Sequence, residues 1–390
     1  MKPRLCAVLL LALVASFADA AETISTSIAQ ADAGSANSSI QVKPSVGISV
    51  GSSSNVGKLN QDSSGSYGRI SPSLSMEYLP TDSVVLNFQV SGDVKRYSED
   101  SARTIGDEKS GDARLAGIWF INETWEFGGD LGGYYTENRL PVQISSTETS
   151  AQIQKYTEPD SRLYLAWVGE KLSVETGANT KLRRYSTTVD DRGNTFHNDF
   201  DSLSGDVNIG YTFMDAFKLS LKALIEDKQY KERRADFSDG AASNPLSPHP
   251  ILRETANEFG VVADYQIGKL KLSSAPVLRL NKDRIFGARD SQVLKFHQKI
   301  VIPIGGKLTW SPGLTFSQEN FERFRSNPEG DPFGSPLRRD LDLKVTSPFK
   351  YALKENLQVN AEYGFSKKDS NYANSSYSEH TVSAGLTVSM

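Results

Sequence analysis

Four histidines are the side chains of this sequence best suited to acid–base or metal chemistry, and their positions favour neither. The four are His197, His249, His297 and His380. No two have the spacing of a metal-binding pair, and none lies beside a nucleophile with a third orienting group. The nearest candidate pair, His380 and Ser383, would suit a lipase or a deacylase. On one strand these two residues point to opposite faces, so we predict no catalytic residue and a protein that is not an enzyme.

Two acidic segments are candidates for Ca²⁺ binding at loop tips. Asp190-Asp191 and Glu329-Gly330-Asp331 supply carboxylates, but a Ca²⁺ ion takes roughly six to eight oxygen ligands. An isolated acidic pair falls short of that number, and solvated loop charge is the simpler interpretation. The sequence therefore predicts no metal site and no cofactor.

Paired glycines between residues 128 and 133 are a candidate phosphate-binding segment. Gly128-Gly129 and Gly132-Gly133 are not followed by a helix, whereas a phosphate loop needs a helix N-terminus. In a strand, glycine more often marks a bend or the close approach of another backbone. Gly128 and Gly132 share their face with Glu126 and Asp130, so we expect open space on that part of the wall.

The elements that must position these residues are β-strands. From residue 40 onward, apolar Val42, Val46 and Val50 alternate with polar residues such as Lys43. A period of two predicts a strand with one apolar and one polar face. The same alternation recurs to the end of the chain at Met390.

Two kinds of connection separate these strands and alternate strictly along the chain. Tight turns lie near residues 81, 123, 170, 215, 268, 305 and 354. Long polar connections lie at 51–66, 98–112, 137–157, 186–200, 231–256, 281–290, 319–337 and 367–376. Counting gives about 16 strands, with 14–18 possible, and the alternation of short and long connections is typical of an outer-membrane barrel.

Composition and the N-terminal segment limit the possible classes. The chain has 390 residues, 43 Lys+Arg against 47 Asp+Glu, and a single Cys, which excludes a disulfide scaffold and a disordered chain.

Residues 1–20 have basic, apolar and small-residue regions in the order of a cleaved signal peptide. Residues 21–39 are small and polar, and we predict a flexible periplasmic tail. No later stretch has the roughly 18 apolar residues of a spanning helix, so residues 40–390 form a soluble β-protein or a transmembrane β-barrel.

Two features favour a closed antiparallel transmembrane β-barrel over a sandwich or a propeller. One face is apolar in every strand while the other carries charge, as expected with lipid outside and water inside. Aromatic residues also cluster near the short turns, where they would form a girdle at one membrane interface. The predicted girdle is Tyr78, Trp119, Trp125, Trp167, Phe213, Phe217, Tyr265 and Trp310. A second set, expected to form the other girdle, is Tyr97, Tyr135, Tyr185, Tyr230, Phe316 and Phe365.

The C-terminal segment carries a resemblance to a known family. Residues 367–372, followed by Tyr377, Val382, Gly385 and Leu386, resemble the C-terminal hairpin of the outer-membrane β-barrel porin family labelled type 2, from Gram-negative bacteria. The resemblance implies a barrel with short periplasmic turns and long extracellular loops, located in the bacterial outer membrane. It implies no catalytic residues. The chain departs from the usual pattern in ending with Met390 rather than an aromatic residue.

A barrel of this size leaves an aqueous channel, so we predict a porin-like channel for the passive diffusion of small polar or charged solutes. Two alternatives stay open: a structural or adhesive barrel whose loops bind a partner, and a polysaccharide export channel with a broad, charged lumen. Conductance separates the first of these from a porin. The candidate pore-lining residues form a basic wall, with no inward acid between its members, opposite an acidic one: Lys271, Arg279, Lys295, His297 and Lys299 against Glu126 and Asp130. The alternative is that Arg114, Arg162, Lys181 and Arg183 on neighbouring strands blur the acidic side.

The predicted partners follow from the same location. Basic residues near the outer strand ends, among them Lys95-Arg96, Arg183-Arg184, Lys228 and Lys231, are expected to meet the phosphates of outer-membrane lipid and lipopolysaccharide. The barrel-assembly machinery is the expected partner during biogenesis, and small polar solutes are the expected ligands. No nucleic acid is expected.

Overall fold

The computed structural model describes residues 39–56, 64–99, 106–143, 149–186, 199–234, 250–285, 287, 289–325, 336–371 and 376–390. The predicted signal peptide at 1–20 and the predicted tail up to residue 38 lie outside these ranges. So do His197, His249 and both acidic segments. Within these ranges, no helix is long and apolar enough to span a membrane.

One antiparallel sheet contains every strand segment of the described residues. The segments are β1 (Ser39–Ser53), β2 (Gly65–Thr81), β3 (Val84–Tyr97), β4 (Glu108–Phe120), β5 (Trp125–Gln143), β6 (Thr149–Val168), β7 (Leu172–Tyr185), β8 (Phe200–Met214), β9 (Phe217–Arg234), β10 (Ile251–Ile267), β11 (Leu270–Asp283), β12 (Ser291–Ile304), β13 (Leu308–Trp310), β14 (Gly313–Arg325), β15 (Leu337–Lys354), β16 (Leu357–Ser370) and β17 (Tyr377–Ser389). The first segment pairs with the last, with Val46 opposite Val388. The sheet therefore closes into a barrel.

The barrel has 16 strands, because β13 and β14 are two parts of one strand. Both parts pair with β12 on one side and with β15 on the other. The interruption falls at Ser311-Pro312, where proline supplies no N–H to the ladder. Two bonds carry the ladder across it: Ile300 N–H donates to the Pro312 carbonyl at 2.9 Å, and Ser311 N–H donates to the Pro348 carbonyl at 3.0 Å. The predicted fold class is confirmed.

All seven predicted tight turns connect consecutive strands at one rim of the barrel. Gly268 and Gly305 occupy two of these turns with positive φ angles of 58° and 67°, a conformation that glycine adopts without a steric penalty. Both ends of the barrel chain lie at the same rim. Ser39 pairs with Leu79, and Met390 N–H donates to the Pro44 carbonyl at 3.0 Å.

At the opposite rim the strands are longer than the sequence pattern predicted. The predicted connection 137–157 is mostly strand, because β5 continues to Gln143 and β6 begins at Thr149. Glu137 lies opposite Lys155, and Arg139 opposite Ile153. The prediction was wrong here because backbone hydrogen bonds continue the ladder after the apolar alternation has ended.

The apolar side chains face outward rather than into a core. Val50, Leu131 and Leu203 expose 65%, 64% and 61% of their surface, which suits contact with lipid rather than water. In the described part of the chain, buried apolar residues form two small clusters near the long-loop rim. One comprises Phe200, Tyr230 and Leu252, and the other comprises Val56 and Tyr97 with Tyr67 packed against them.

Candidate solute pathway through the barrel

Charged side chains line the inner face of the barrel, and the strand register decides which of them meet. Every predicted pore-lining residue lies on the face opposite the outward apolar residues of its own strand. Asp130, for example, lies between outward Gly129 and Leu131, and the cross-strand partner of Asp130 is Arg162. This inner face provides the candidate pathway for solutes.

Arg114 and Arg162 each bridge two carboxylates on the next two strands. Arg114 on β4 contacts Asp130 on β5 through one terminal nitrogen and Asp160 on β6 at 2.9 Å through the other. Arg162 on β6 contacts Glu175 on β7 at 2.6 Å and Asp206 on β8 at 2.8 Å. The planar guanidinium carries several donors in a fixed geometry, so one arginine can bind two acids. Arg114 on the neighbouring strand therefore supplies a base to Asp130, one of the two residues of the predicted acidic wall.

A glycine lies beneath each of these two arginines. Gly132 lies directly between Arg114 and Asp160 in the register, and a Cβ there would be 2.8 Å from an Asp160 oxygen and 3.0 Å from Arg114 Nη2. A Cβ at Gly177 would lie 3.1 Å from Asp206 and 3.2 Å from Arg162. The missing side chain lets each arginine reach across the intervening strand.

The open space predicted beside Gly128 and Gly132 is therefore absent. The Tyr164 ring occupies the space over Gly128, and the Arg114–Asp160 ion pair occupies the space over Gly132. The prediction was wrong because side chains from the adjoining strands cross the glycines. The spacing of residues along a single strand does not reveal which side chains of the adjoining strands lie over it.

Arg279 is a third bridging arginine and not part of an acid-free wall. It contacts Glu226 on β9 at 2.6 Å and Glu258 on β10 at 3.5 Å, and its Nε donates to the Asn281 side chain at 2.9 Å. The prediction excluded an inward acid only among the basic residues of β11 and β12, and it did not consider acids on other strands. The acids come from two strands that precede it in the barrel. We call Arg114, Arg162 and Arg279 the arginine bridges.

Three inward basic residues on β12 differ from the arginine bridges because they lie exposed. Lys295, His297 and Lys299 occupy alternate positions of this strand, and all three are exposed to the lumen. Within the described residues, neither lysine forms an ion pair. His297 Nδ1 lies 2.9 Å from Thr315 Oγ1.

Lys344 on β15 joins these residues through the register. His297 lies opposite Thr315 on β14, and Thr315 lies opposite Lys344 on β15. We call Lys295, His297, Lys299 and Lys344 the basic cluster. Lys344 and Thr315 were not among the predicted pore-lining residues, although the alternation on β15 and β14 indicated that both face inward.

Glu126 and Lys271 remain separate from these networks. Glu126 is half-buried on β5, and Lys271 is exposed at the start of β11. In the part of the chain that the structure describes, neither forms an ion pair. Their predicted role as pore-lining charges stays a prediction.

Near the long-loop rim, inward cations lie between aromatic rings. Lys95 Nζ is 4.6 Å and 4.9 Å from the ring centroids of Tyr67 and Tyr97. Arg183 lies over Tyr156 and Phe200, and Lys228 over Phe200 and Tyr230, at 4.4–5.2 Å. Such contacts stabilise a cation by the negative face of the ring.

These contacts correct two predictions about the outer rim. Tyr97, Tyr185 and Tyr230 face the lumen and not the lipid, so only Tyr135, Phe316 and Phe365 of the predicted second girdle face outward. Lys95, Arg183 and Lys228 likewise face inward. The predictions were wrong because each of these residues lies an odd number of positions from an outward apolar residue, and residues at odd separations in a strand point to opposite faces.

All eight residues of the predicted first girdle face outward beside the short turns. Trp125 lies opposite Trp167, the Phe213 and Phe217 rings stack at 5.4 Å, and Trp310 Nε1 donates to Ser347 Oγ at 2.9 Å. The Trp310 ring also stacks on Phe349 at 5.7 Å. The polar N–H beside an apolar ring suits a membrane interface.

His380 and Ser383 lie on opposite faces of β17, as their spacing indicated. His380 faces outward, where its Nδ1 lies 2.9 Å from the Tyr363 hydroxyl, whereas Ser383 lines an inner cavity. Among the described residues, no three histidine, cysteine or acidic side chains are grouped to hold a metal ion.

Comparisons with known proteins bear on the fold. No protein-family profile matches the chain, and no curated protein matches it either. OmpT, an outer membrane protein of Vibrio cholerae, is 10% identical, with 92% of this chain and 99% of that chain covered and a TM-score of 0.48. An anion-selective porin from Comamonas acidovorans is 11% identical over 91% of this chain and 100% of that chain, with a TM-score of 0.44. At these identities and TM-scores the likenesses add nothing to the closed barrel that the strand pairing shows, and the type 2 porin family stays a prediction.

The comparisons also correct one prediction. The chain was predicted not to be an enzyme, but OmpT of Vibrio cholerae is among the similar barrels at 12% identity and a TM-score of 0.46. The barrel fold gives no ground for excluding catalysis, and that prediction is withdrawn. At such low identity, the likeness indicates no particular activity.

Proposed function

We propose that this protein is a porin-like channel for the passive diffusion of small polar or charged solutes across the bacterial outer membrane. The observation that carries the proposal is a closed 16-strand barrel with apolar residues outside and charged residues inside. A barrel of this strand number is wide enough for an aqueous channel. The charged inner face holds water and offers hydrogen bonds to polar solutes.

The arrangement of the barrel supports a defined orientation in the membrane. The eight-residue girdle lies at the short-turn rim together with both ends of the barrel chain, which suits the periplasmic side after export by the predicted signal peptide. The long connections would then face the exterior. An epitope inserted between β9 and β10 should bind antibody on whole cells, and an epitope near Thr81 should not. The reverse labelling would overturn this orientation.

Outward basic residues beyond the apolar band support contact with lipopolysaccharide. Lys109 and Lys155 flank Glu137 at 3.6 Å and 3.9 Å, and Arg184 and Lys231 flank Asp201 in the same way. Each triplet has one excess positive charge, which would attract lipid phosphates. Replacing the four bases by Gln should reduce the stabilisation of the barrel by added lipopolysaccharide. An unchanged stabilisation would contradict this contact.

Planar-bilayer recording tests the proposed function directly. Protein purified from membranes should produce discrete, long-lived current steps in potassium chloride. A folded barrel that passes no current would overturn passive diffusion and favour a structural or adhesive barrel.

Recognition of β17 by the barrel-assembly machinery is part of the same proposal. Replacing Met390 by Phe should increase the amount of assembled barrel.

A further inference from the structure

We propose that the basic cluster binds oxyanions, such as phosphate and carboxylate groups, in the lumen. The inference rests on the proposed function and deepens it, because it names the class of solute that the channel would favour. It starts from four inward basic residues on β12 and β15 that lie around one hydroxyl group.

The register places Thr315 at the centre of the cluster. Thr315 lies directly opposite both His297 and Lys344, with Cβ separations of about 5 Å expected for such pairs. Lys295 and Lys299 lie opposite Ser317 and Gly313, the inward neighbours of Thr315, at diagonal distances of about 7–8 Å from it. The long lysine side chains can therefore converge over one hydroxyl group.

The charge of the cluster is not compensated within the described residues. Lys295, Lys299 and Lys344 form no ion pair there. Two acids lie near them in the register: Asp342, opposite Ser317, and inward Glu319, diagonally across from Lys295 and hydrogen-bonded by Ser291 Oγ at 2.7 Å. Three lysines against two carboxylates leave an excess of positive charge, in contrast to the arginine bridges, where each arginine has two acids.

Water reaches the cluster from the lumen. All four basic side chains are exposed. Thr315, Ser317 and Lys344 also line a cavity of about 520 Å³ that reaches β2 and β3, and the acids Glu108, Asp342, Glu362 and Glu379 line other parts of it. A small hydrated anion can therefore reach the lysines without any movement of the barrel wall.

The chemistry of the cluster matches an oxyanion better than other solutes. Each ammonium group has three donors and no acceptor, and the hydroxyl groups of Thr315 and Ser317 can add further donors. Phosphate and carboxylate groups offer several acceptor oxygens and negative charge, so they can form charge-assisted hydrogen bonds here. Cations would be repelled by the same lysines.

The test is phosphate block of single-channel current by protein purified from membranes. Current is recorded in about 0.1 M KCl, where the screening length of about 10 Å leaves the lysine charges effective, with inorganic phosphate or acetate added in separate runs. Phosphate should reduce the chloride current. K295Q/K299Q/K344Q should raise the half-blocking phosphate concentration by about tenfold, which corresponds to about 1.4 kcal/mol.

The matched control is K43Q/K218Q/K222Q, which removes three other exposed, inward lysines. It should change the half-blocking concentration by less than about twofold, since interactions beyond the screening length are weak. Equal changes in the two variants, or no block of the unmodified protein, would overturn the proposal. Block by phosphate and acetate identifies a general oxyanion site, and block by phosphate alone narrows it to phosphate groups.

A second measurement separates this site from the proposed function. If no variant conducts, passive diffusion fails, but calorimetry of phosphate binding to detergent-solubilised protein still tests the cluster. Binding heat that is lost in K295Q/K299Q/K344Q and kept in the control supports the site. Equal heats in the two variants, or no heat with the unmodified protein, would overturn it.

Discussion

The inner wall of the barrel has two charged regions with the same backbone pattern and different chemistry. On β4–β8, Arg114 and Arg162 each lie between two carboxylates, with a glycine beneath each arginine. On β12–β15, the basic cluster has lysines that form no ion pair in the described residues. The charges of the first region are paired across strands, whereas the lysines of the second have no paired acid within the described residues.

The difference shows that pairing, rather than the number of charges, determines the field in a lumen. Arginine has a rigid fork of donors that can bind two acids on different strands, whereas lysine carries a compact charge on a flexible stem. A count of inward charges treats the two alike. Within the described residues, Asp130 and Arg279 are paired, so the unpaired members of the two predicted walls are Glu126 on one side and Lys271, Lys295, His297 and Lys299 on the other. The opposition of these walls stays a prediction.

The largest effect is expected from breaking an arginine bridge. Replacing Arg162 by Gln leaves Glu175 and Asp206 close together without a cation, and these groups are mostly shielded from water. The free energy of unfolding should fall by about 1–3 kcal/mol, less than for a fully buried pair because the lumen is hydrated. Urea unfolding in lipid vesicles, followed by tryptophan fluorescence, measures the change. A loss below the error of that measurement would mean that the bridge is not structural.

A smaller loss is expected when the space beneath a bridge is filled. Replacing Gly132 by Val puts methyl groups where Arg114 meets Asp160, and crowding of this kind destabilises by about 1–3 kcal/mol when side chains cannot move. Because the side chains here are flexible, we expect the lower end of that range. The control is Gly133→Val, since a Cβ at Gly133 meets no atom within 4 Å. Equal losses in the two variants would contradict the role assigned to Gly132.

Arg114→Lys should have a smaller effect again. The charge is kept, but an ammonium group cannot reproduce two contacts fixed by a planar fork. A loss of about 0.5–1 kcal/mol is expected, in the range of one ordinary hydrogen bond. The same unfolding assay measures it. A variant as unstable as Arg114→Gln would show that fork geometry matters more than charge.

The smallest effect on stability is expected from the basic cluster. K295Q/K299Q/K344Q should change the free energy of unfolding by less than about 0.5 kcal/mol, because exposed residues without partners contribute little. The same variant should move the reversal potential in a salt gradient toward cation selectivity. A large loss of stability without a change in selectivity would remove the contrast between the two regions.

The strand pattern and its turns were predicted correctly, whereas the ends of some strands and the faces of some side chains were not. All seven tight turns were predicted because the apolar alternation stops at each of them. The ends of β5 and β6 were missed because the ladder continues through residues such as Glu137 and Lys155, where alternation no longer marks it. Tyr97 and Tyr185 were assigned to the wrong face, although counting in twos from Val94 and Leu182 gives the right one.

The sequence by itself determined that each strand has a lipid face and a water face, because side chains alternate with a period of two along any strand. It also determined the order of short and long connections, and thereby the antiparallel barrel. Only the tertiary structure decided which inward residues meet. Arg162 reaches Asp206 across Gly177, and Thr315 lies between His297 and Lys344, because the register of neighbouring strands aligns them. Register depends on hydrogen bonds between distant segments, and a one-residue shift would reassign every such contact.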